Sequence, residues 1–163
     1  MVILDIFTVS LFGHREIDRL MTLDNLLYPI IKELIHSKPY VNFLIGRNGE
    51  FDEYSASLIK RAQKEYGSEN NDITLVLPYT VANIEDYEKY YDSIIIPESI
   101  YGAHFKSLIG MRNQWMIDKS DLVIVYVKKE SGGAYTAKRY AEKLGKRIIN
   151  VYENENFNYK SNE

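Results

Sequence analysis

The sequence contains no cysteine, and this absence excludes disulfide bonds, thiolate metal sites and a cysteine nucleophile. It also lacks any stretch of 18 uncharged apolar residues, the length that indicates a membrane-spanning helix. The apolar opening has neither a basic n-region nor a small-residue cleavage site, so we interpret it as a buried strand rather than a signal peptide. These absences favour a cytoplasmic protein with no membrane partner.

Basic residues are not in excess, because 20 lysines and arginines stand against 23 aspartates and glutamates. A net charge of -3 argues against broad, sequence-independent binding to nucleic acid, which needs a basic face. The chain has only 3 histidines, and neither His14 nor His104 has a neighbour at the spacing of metal ligands. We therefore expect neither a metal ion nor nucleic acid among the partners of this chain.

The residues that are present are typical of one compact domain. A length of 163 residues suffices for a sizeable core, and 45% hydrophobic with 26% charged residues is the balance of a globular protein. Residues 1–152 form a single predicted domain with no internal repeat and no linker. Residues 153–163 are polar and rich in asparagine, so we expect a C-terminal tail there.

Short apolar runs alternate with stretches in which apolar residues recur every three or four positions. The runs predict strands at residues 6–12, 41–45, 73–77, 93–96, 122–127 and 147–152. The other stretches predict helices at residues 20–36, 52–66, 83–91, 103–119 and 133–144. Asp52 is expected to cap the second helix, and Gly67 to follow it. Strands that alternate with helices pair in parallel through right-handed crossovers, which predicts a three-layer α/β/α sandwich with a mostly parallel sheet of five to seven strands.

Three predicted strands end in loops that combine glycine with a cation. The residues are Gly13, His14 and Arg15 after the first strand, Gly46, Arg47 and Asn48 after the second, and Ser131, Gly132 and Gly133, preceded by Lys128 and Lys129, after the fifth. Ligands bind beyond the carboxyl ends of parallel strands, and glycine lets a ligand approach the backbone closely. A helix N-terminus adds unpaired N–H groups that suit a phosphate. A plain chain reversal explains one such turn, but three at one edge predict a ligand site.

Arg112 lies on the helix that precedes the fifth strand, beside the apolar stripe of that helix. Two interpretations of its guanidinium remain open. It either extends past the apolar surface to water, or it reaches the ligand site, where its planar fork suits a phosphate or a carboxylate.

Tyrosine is abundant, with 14 in the chain and several between residues 79 and 101. Such amphipathic rings cover half-buried surface or form contacts between copies, so we expect a homodimer or a higher homo-oligomer. Tyr101 and Tyr135 also admit a second interpretation, in which the ring stacks on the base of a ligand.

Four segments together resemble a known superfamily. They occur between residues 7 and 151 in the order FTVSLFGHRE, GRNGEFDEYSA, RNQWMIDKSDLVIVYV and SGGAYTAKRYAEKLGKRIINV. The chain resembles the SLOG superfamily of Rossmann-like domains, and within it the YpsA-like bacterial and phage branch. That superfamily includes the LOG phosphoribohydrolases, the DNA-binding DprA proteins and sensor domains for nucleotide-derived signals. The resemblance implies a Rossmann-like fold and a nucleotide-like small molecule as the ligand.

The resemblance also assigns individual residues to the LOG pattern. Arg112 matches the arginine that lies before the fifth strand in that pattern. Gly132, Gly133 and Thr136 match the first, second and threonine positions of its PGG-x-GT-x-x-E stretch, whereas Tyr135 replaces the third glycine. The resemblance therefore places these five residues in the ligand site.

Arg139 stands where the LOG pattern has a carboxylate. Cleavage of an N-glycosidic bond passes through an oxocarbenium-like state that a carboxylate stabilises, and an arginine cannot do this. A replacement carboxylate would have to come from a predicted loop end, where a helix cap or a solvated charge is the other interpretation. The candidates are Glu50, Asp52, Glu98 and Glu130.

The sequence thus favours a protein that binds a nucleotide or an ADP-ribose-like signal without cleaving it. The sensor domains of the superfamily imply a sensor or a sequestering protein in stress or phage-conflict signalling. The alternative is a nucleotide N-glycosidase of the LOG type. A nucleic-acid accessory of the DprA kind is a third hypothesis, against which the acidic balance argues. The sequence assigns no catalytic residue and implies no cofactor.

Overall fold

The computed structural model describes residues 5–153, so nearly all of the expected C-terminal tail lies outside the described residues. The strands of this range are β1 (Ile6–Gly13), β2 (Tyr40–Ile45), β3 (Asn71–Val76), β4 (Ser93–Ile95), β5 (Leu122–Tyr126) and β6 (Arg147–Asn150). They form one sheet in the order β4-β3-β2-β1-β5-β6, in which every neighbouring pair is parallel. The predicted parallel sheet is confirmed.

Helices connect most of these strands. Their bounds are α1 (Leu20–Ser37), α2 (Glu50–Tyr66), α3 (Ile84–Tyr90), α4 (Leu108–Lys119) and α5 (Gly133–Lys143). In the range from residue 5 to residue 153, no helix is both long and apolar enough to cross a membrane.

Several predicted element boundaries differ from the structure, most of them by one or two residues. The single helix expected at residues 103–119 is instead one 3-10 turn, Phe105–Ser107, followed by α4, because the side chain of His104 accepts a hydrogen bond from the N–H of Lys106 and holds a turn there. Helix α2 begins two residues early, so Asp52 lies inside its first turn instead of at its cap. Strand β6 ends at Asn150, whose side-chain oxygen accepts from the N–H of Tyr152 and turns the chain.

The sheet is covered on both faces. Along β1, Val9 and Leu11 face one side and pack with residues of α1 and α2, including Leu27. Phe12 faces the other side and packs with residues of α4 and α5, including Met116. This alternation follows from the two-residue period of a strand, and it confirms the three-layer α/β/α sandwich.

The strand order places a topological switch at β1. The chain moves outward from β1 through β2 and β3 to β4, and then returns to the other side of β1 to form β5. At the end of this central pair, Gly13 is in register with Tyr126. Because all strands are parallel, the loops after β1, β2 and β5 meet at one edge, where an open α/β sheet binds its ligands.

Candidate functional site

A cleft of about 350 Å³ opens at this edge, next to the switch point. The end of β1 and the loop that follows it border the cleft, together with the loop after β2, the first half of α4 and the start of α5. Its volume lies within the range of small-molecule sites, near the lower end. Seven of the predicted site residues line it, namely Gly13, His14, Arg15, Asn48, Arg112, Gly132 and Gly133.

Two predicted residues from the loop after β2 lie outside the lining. Gly46 is buried, and a Cβ on it would lie 3.1 Å from Nη1 of Arg112 and 3.1 Å from Oδ2 of Asp52. Its lack of a side chain therefore makes room for these two groups. Arg47 is directed toward α3, where its guanidinium carbon lies 5.7 Å from the ring centroid of Tyr87.

The other three predicted residues surround the start of α5. Ser131 lines a neighbouring cavity of about 300 Å³ that shares His14 and Arg15 with the cleft. Tyr135 is partly buried and packs against the core beneath α4 and α5. Thr136 donates its hydroxyl to the carbonyl of Gly132 at 3.0 Å, which stabilises the first turn of the helix.

The N-terminus of α5 borders the cleft without a capping side chain. Gly132 occupies the N-cap position with a φ of 90°, a conformation that glycine adopts without strain. The first N–H groups of a helix have no partner within the helix, and they carry a partial positive charge. A Cβ on Gly133 would meet no atom within 4 Å, so the approach to these N–H groups is open.

Arg112 lies deep in the cleft wall, with only 4% of the residue exposed. Its Nη1 donates to the carbonyl of Val76 at 2.8 Å, and its Nε donates to Oδ1 of Asn113 at 2.8 Å. The guanidinium therefore does not extend to open water. Burial lowers its pKa, but an arginine starts from so high a value that it keeps its charge at neutral pH. The cleft thus contains a fixed positive charge.

Asp52 places a carboxylate in the same cleft. Its Oδ2 accepts the N–H of Asn48 at 3.0 Å. The two distances to the Cβ position of Gly46 put this oxygen within about 6 Å of Nη1 of Arg112, yet among residues 5–153 no ion pair within 4.0 Å joins the two side chains. Burial raises the pKa of Asp52 to about 6, although the Asn48 N–H and Arg112 act in the opposite direction.

The other three candidate carboxylates do not reach the cleft lining. Glu50 accepts the N–H of Ile17 at 2.7 Å and connects the loop after β1 to α2. Glu98 and Glu130 are exposed. Arg139 is exposed as well and pairs with Glu142 at 3.2 Å. Asp52 lies in the first turn of α2, four residues after Asn48, but its partial burial depends on tertiary packing that no local pattern shows.

His14 joins the loops after β1 and β5. Its Nε2 accepts the N–H of Lys128 at 2.9 Å and the N–H of Lys129 at 3.1 Å. A nitrogen that accepts carries no proton, so the ring is neutral and its proton is on Nδ1. Burial lowers the pKa of His14, and the positive charges of Lys129 and Lys128 lower it further. His14 therefore fixes the shape of the site and presents one neutral donor.

No protein-family model matches the chain, and no curated protein matches its sequence. Among solved structures, the chain is similar to DNA processing protein A (DprA) from Streptococcus pneumoniae, with 14% sequence identity and a TM-score of 0.63. The match covers 87% of this chain and 49% of that chain, so the present chain spans about half the length of DprA. At this level of identity the likeness shows a shared Rossmann-like fold.

Proposed function

We propose that this chain binds a phosphorylated, nucleotide-like small molecule, with a phosphate at the start of α5. One observation carries the proposal: the buried guanidinium of Arg112 and the uncapped N-terminus of α5 line the same cleft. The arginine supplies a full charge, and the helix supplies unpaired N–H groups, which together suit a phosphate.

The adjoining cavity supports a ligand larger than a mononucleotide. It contains the cations Arg15, Lys128 and Lys129, of which Lys128 pairs with the exposed Asp18 at 3.2 Å. Glu16 also lines this cavity, so its three basic side chains exceed its two carboxylates by one, and a second phosphate has room beside the cleft in a region of net positive charge. This arrangement favours a diphosphate such as an ADP-ribose-like signal.

The shared fold supports membership of the SLOG superfamily, and the four sequence segments alone suggest its YpsA-like branch. In that setting the protein acts as a sensor or as a sequestering protein in stress or phage-conflict signalling. The comparison with a protein named for DNA processing gives no support to the expectation that nucleic acid is not a partner. DNA is therefore one arm of the binding test.

Hydrolysis of the N-glycosidic bond is a second candidate, and Asp52 is the observation that favours it. A carboxylate beside Arg112 is available to stabilise positive charge on the sugar while water attacks its anomeric carbon and the base departs. The products would be a free base and a sugar phosphate. Asp52 on α2 thus supplies a carboxylate, the group that α5 lacks because Arg139 stands at the corresponding position.

Calorimetric titration with AMP, ADP, ADP-ribose, adenosine, adenine and a single-stranded DNA oligonucleotide tests the proposal. We expect the phosphorylated ligands to bind, and adenosine and adenine to bind much more weakly or not at all, because the phosphate is the anchor. Binding of the oligonucleotide alone would favour nucleic-acid handling, and no response from any phosphorylated ligand would refute the proposal. A parallel assay for free adenine separates binding from turnover.

Arg112→Ala identifies the site, and Arg139→Ala is its matched control because Arg139 is an exposed arginine outside the cleft lining. The first change should weaken nucleotide binding by at least about 1.5 kcal/mol, through the loss of a charge-assisted hydrogen bond. The second should leave the affinity unchanged. Equal affinities in both variants, each shown by circular dichroism to be folded, would place the ligand elsewhere.

A further inference from the structure

We propose that Asp52 and Arg112 together bind the ribose hydroxyls of the ligand, so that the cleft selects ribonucleotides over their deoxy counterparts. The inference rests on the proposed nucleotide site and specifies which residues of the cleft contact the sugar of the ligand. It makes Asp52 a specificity-determining residue.

The side chains of Arg112 and Asp52 are close together but do not touch. Nη1 of Arg112 and Oδ2 of Asp52 are each 3.1 Å from the same point, the Cβ position of Gly46, and no direct ion pair closes the gap between the two groups in the described range. Charged groups of opposite sign at this separation, in a partly buried wall, leave room for a small polar group that bonds to both.

Each of the two side chains retains one atom that can form a hydrogen bond with a ligand. Arg112 uses Nη1 and Nε, and Asp52 uses Oδ2, for contacts within the protein. Between residues 5 and 153, neither Nη2 of Arg112 nor Oδ1 of Asp52 has a hydrogen-bond partner. Neither atom is among the buried atoms of this range that lack a partner, so one accessible donor and one accessible acceptor remain for a ligand in the cleft that both residues line.

The hydrogen-bonding properties of Arg112 and Asp52 together complement those of a sugar hydroxyl. A guanidinium only donates hydrogen bonds and an ionised carboxylate only accepts them, whereas a hydroxyl does both. Two neighbouring hydroxyls can thus donate to Asp52 and accept from Arg112. A phosphate in the same gap would bond to Arg112 but would be repelled by the carboxylate. The phosphate therefore belongs at the start of α5, where the charge of Arg112 attracts it through space without a direct hydrogen bond, and the sugar belongs between Asp52 and Arg112.

Titration of the wild-type protein with AMP, 2′-deoxy-AMP and 2′,3′-dideoxy-AMP tests the inference. We expect AMP to bind at least about tenfold more tightly than the dideoxy compound, because a site built to bond a hydroxyl penalises its absence. Similar affinities for AMP and the dideoxy compound would refute the hydroxyl subsite and leave the phosphate site standing. Failure of all three to bind would refute the nucleotide proposal itself.

Asp52→Asn then assigns the discrimination to one side chain, with Glu53→Gln as the control from an exposed neighbour on the same helix. We expect the preference of Asp52→Asn for AMP over the dideoxy compound to fall to within about threefold, because the amide is a weaker acceptor for a hydroxyl than the carboxylate. The control should retain the full preference. An undiminished preference in folded Asp52→Asn would overturn the assignment. If that variant does not fold, the wild-type series still decides whether the subsite exists.

Discussion

Two glycines that border the cleft have different physical roles. Gly13 lies at the end of β1, where an added Cβ would overlap the buried ring of Phe51. Gly133 begins α5, where an added Cβ would meet no atom within 4 Å. The first glycine is required by packing, and the second leaves open space in front of the helix. Substitution of Gly13 should therefore affect folding stability, whereas substitution of Gly133 should affect ligand affinity.

Gly133→Val should weaken binding of AMP by at least about 1.5 kcal/mol, because its side chain covers the N–H groups that receive the phosphate. Its melting temperature without ligand should stay close to that of the wild type. Gly13→Ala should instead lower the free energy of unfolding by about 1–3 kcal/mol, the usual cost of an overpacked core. Calorimetry and thermal melts of both variants measure these effects, and unchanged affinity in Gly133→Val would argue against a phosphate at α5.

Asp52 should make stability depend on pH. Its pKa is raised from 3.8 to about 6 in the folded protein, so the folded state holds a proton that the unfolded state has released between these values. Stability therefore decreases as pH rises through this window. The groups that face the carboxyl are Arg112 on α4, the N–H of Asn48 and Glu53 on α2.

Asp52→Asn removes this ionisation, and the variant should gain stability relative to the wild type as pH rises from 4 to 7, by on the order of 1–2 kcal/mol. His14 has the opposite sign, since its lowered pKa costs stability as pH falls below 6.5, and it cancels in the comparison because both proteins retain it. Urea unfolding at several pH values gives the difference directly. A difference that is constant with pH would show that the pKa of Asp52 is not raised.

At the scale of elements, the loop after β1 is held against α2 by two hydrogen bonds, one between backbone groups and one to the side chain of Glu50. The N–H of Glu50 donates to the carbonyl of Arg15 at 2.8 Å, and the N–H of Ile17 donates to Oε2 of Glu50 at 2.7 Å. A Cβ on Gly49 would lie 2.5 Å from the Cα of Arg15, so only glycine permits this approach. The loop that carries His14 is thereby fixed to a helix from the next βα unit.

Glu50→Ala should therefore destabilise the protein by about 1–2 kcal/mol, because it leaves the N–H of the largely buried Ile17 without its acceptor. Glu53→Ala, an exposed substitution on the same helix, should change stability by less than about 0.5 kcal/mol. Urea denaturation measures both values. Hydrogen exchange should also show faster exchange at the Ile17 amide in Glu50→Ala, and unchanged protection there would contradict the described contact.

The elements themselves were largely predictable, because the strands are short and mostly apolar and α1, α2 and α5 carry a regular apolar face. The start of α4 was not predictable, because it depends on the hydrogen bond that the N–H of Lys106 donates to the side chain of His104. Helix propensity does not reveal this bond. The glycines of the loops after β1 and β2 indicated the edge of the sheet at which the cleft lies. Their purpose was not predictable, because Gly13 and Gly46 accommodate Phe51, Arg112 and Asp52 from other parts of the chain.

The cleft residues were predictable to the extent that they follow strands. His14 and Gly132 occupy loop positions that any parallel sheet brings together, so their place in the cleft follows from topology. Arg112 is buried and Asp52 is partly buried beside Gly46, where side chains of α4 and α2 meet from opposite faces of the sheet, and no periodicity encodes this meeting. For Arg112 the sequence therefore left two alternatives, and for Asp52 it favoured a cap.

For the whole molecule, the expected self-association stays a prediction, and the structure supplies a surface for it. Tyr101 is 65% exposed and Phe105 is 69% exposed, and the ring of Phe105 lies 5.5 Å from that of Tyr79. Tyr91 is instead buried in the core, so only part of the tyrosine-rich segment is available for contacts. Exposed aromatic rings in one area are typical of contacts between subunits.

Multi-angle light scattering at micromolar concentration should therefore show a dimer or a multiple of it. The double change Tyr101→Ser and Phe105→Ser should shift the protein toward monomer, because it removes the two most exposed aromatic rings of the described residues. Exposed Tyr66→Ser, on the far end of α2, is the control and should leave the mass unchanged. A monomeric wild-type protein would show that these rings are ordinary surface residues and do not form a contact between subunits.

The bonds from Lys128 and Lys129 to His14 connect residues 114 and 115 positions apart in the chain. During synthesis, β1 emerges early, but the strand and loop that complete the cleft emerge only after most of the chain has left the ribosome. A nascent chain that stops before residue 121 contains β1 to β4 and still lacks the α5 wall of the cleft. The proposed ligand could therefore bind only after β5 has added to the free side of β1 and α5 has followed, so its binding would report the completion of folding in chains of increasing length.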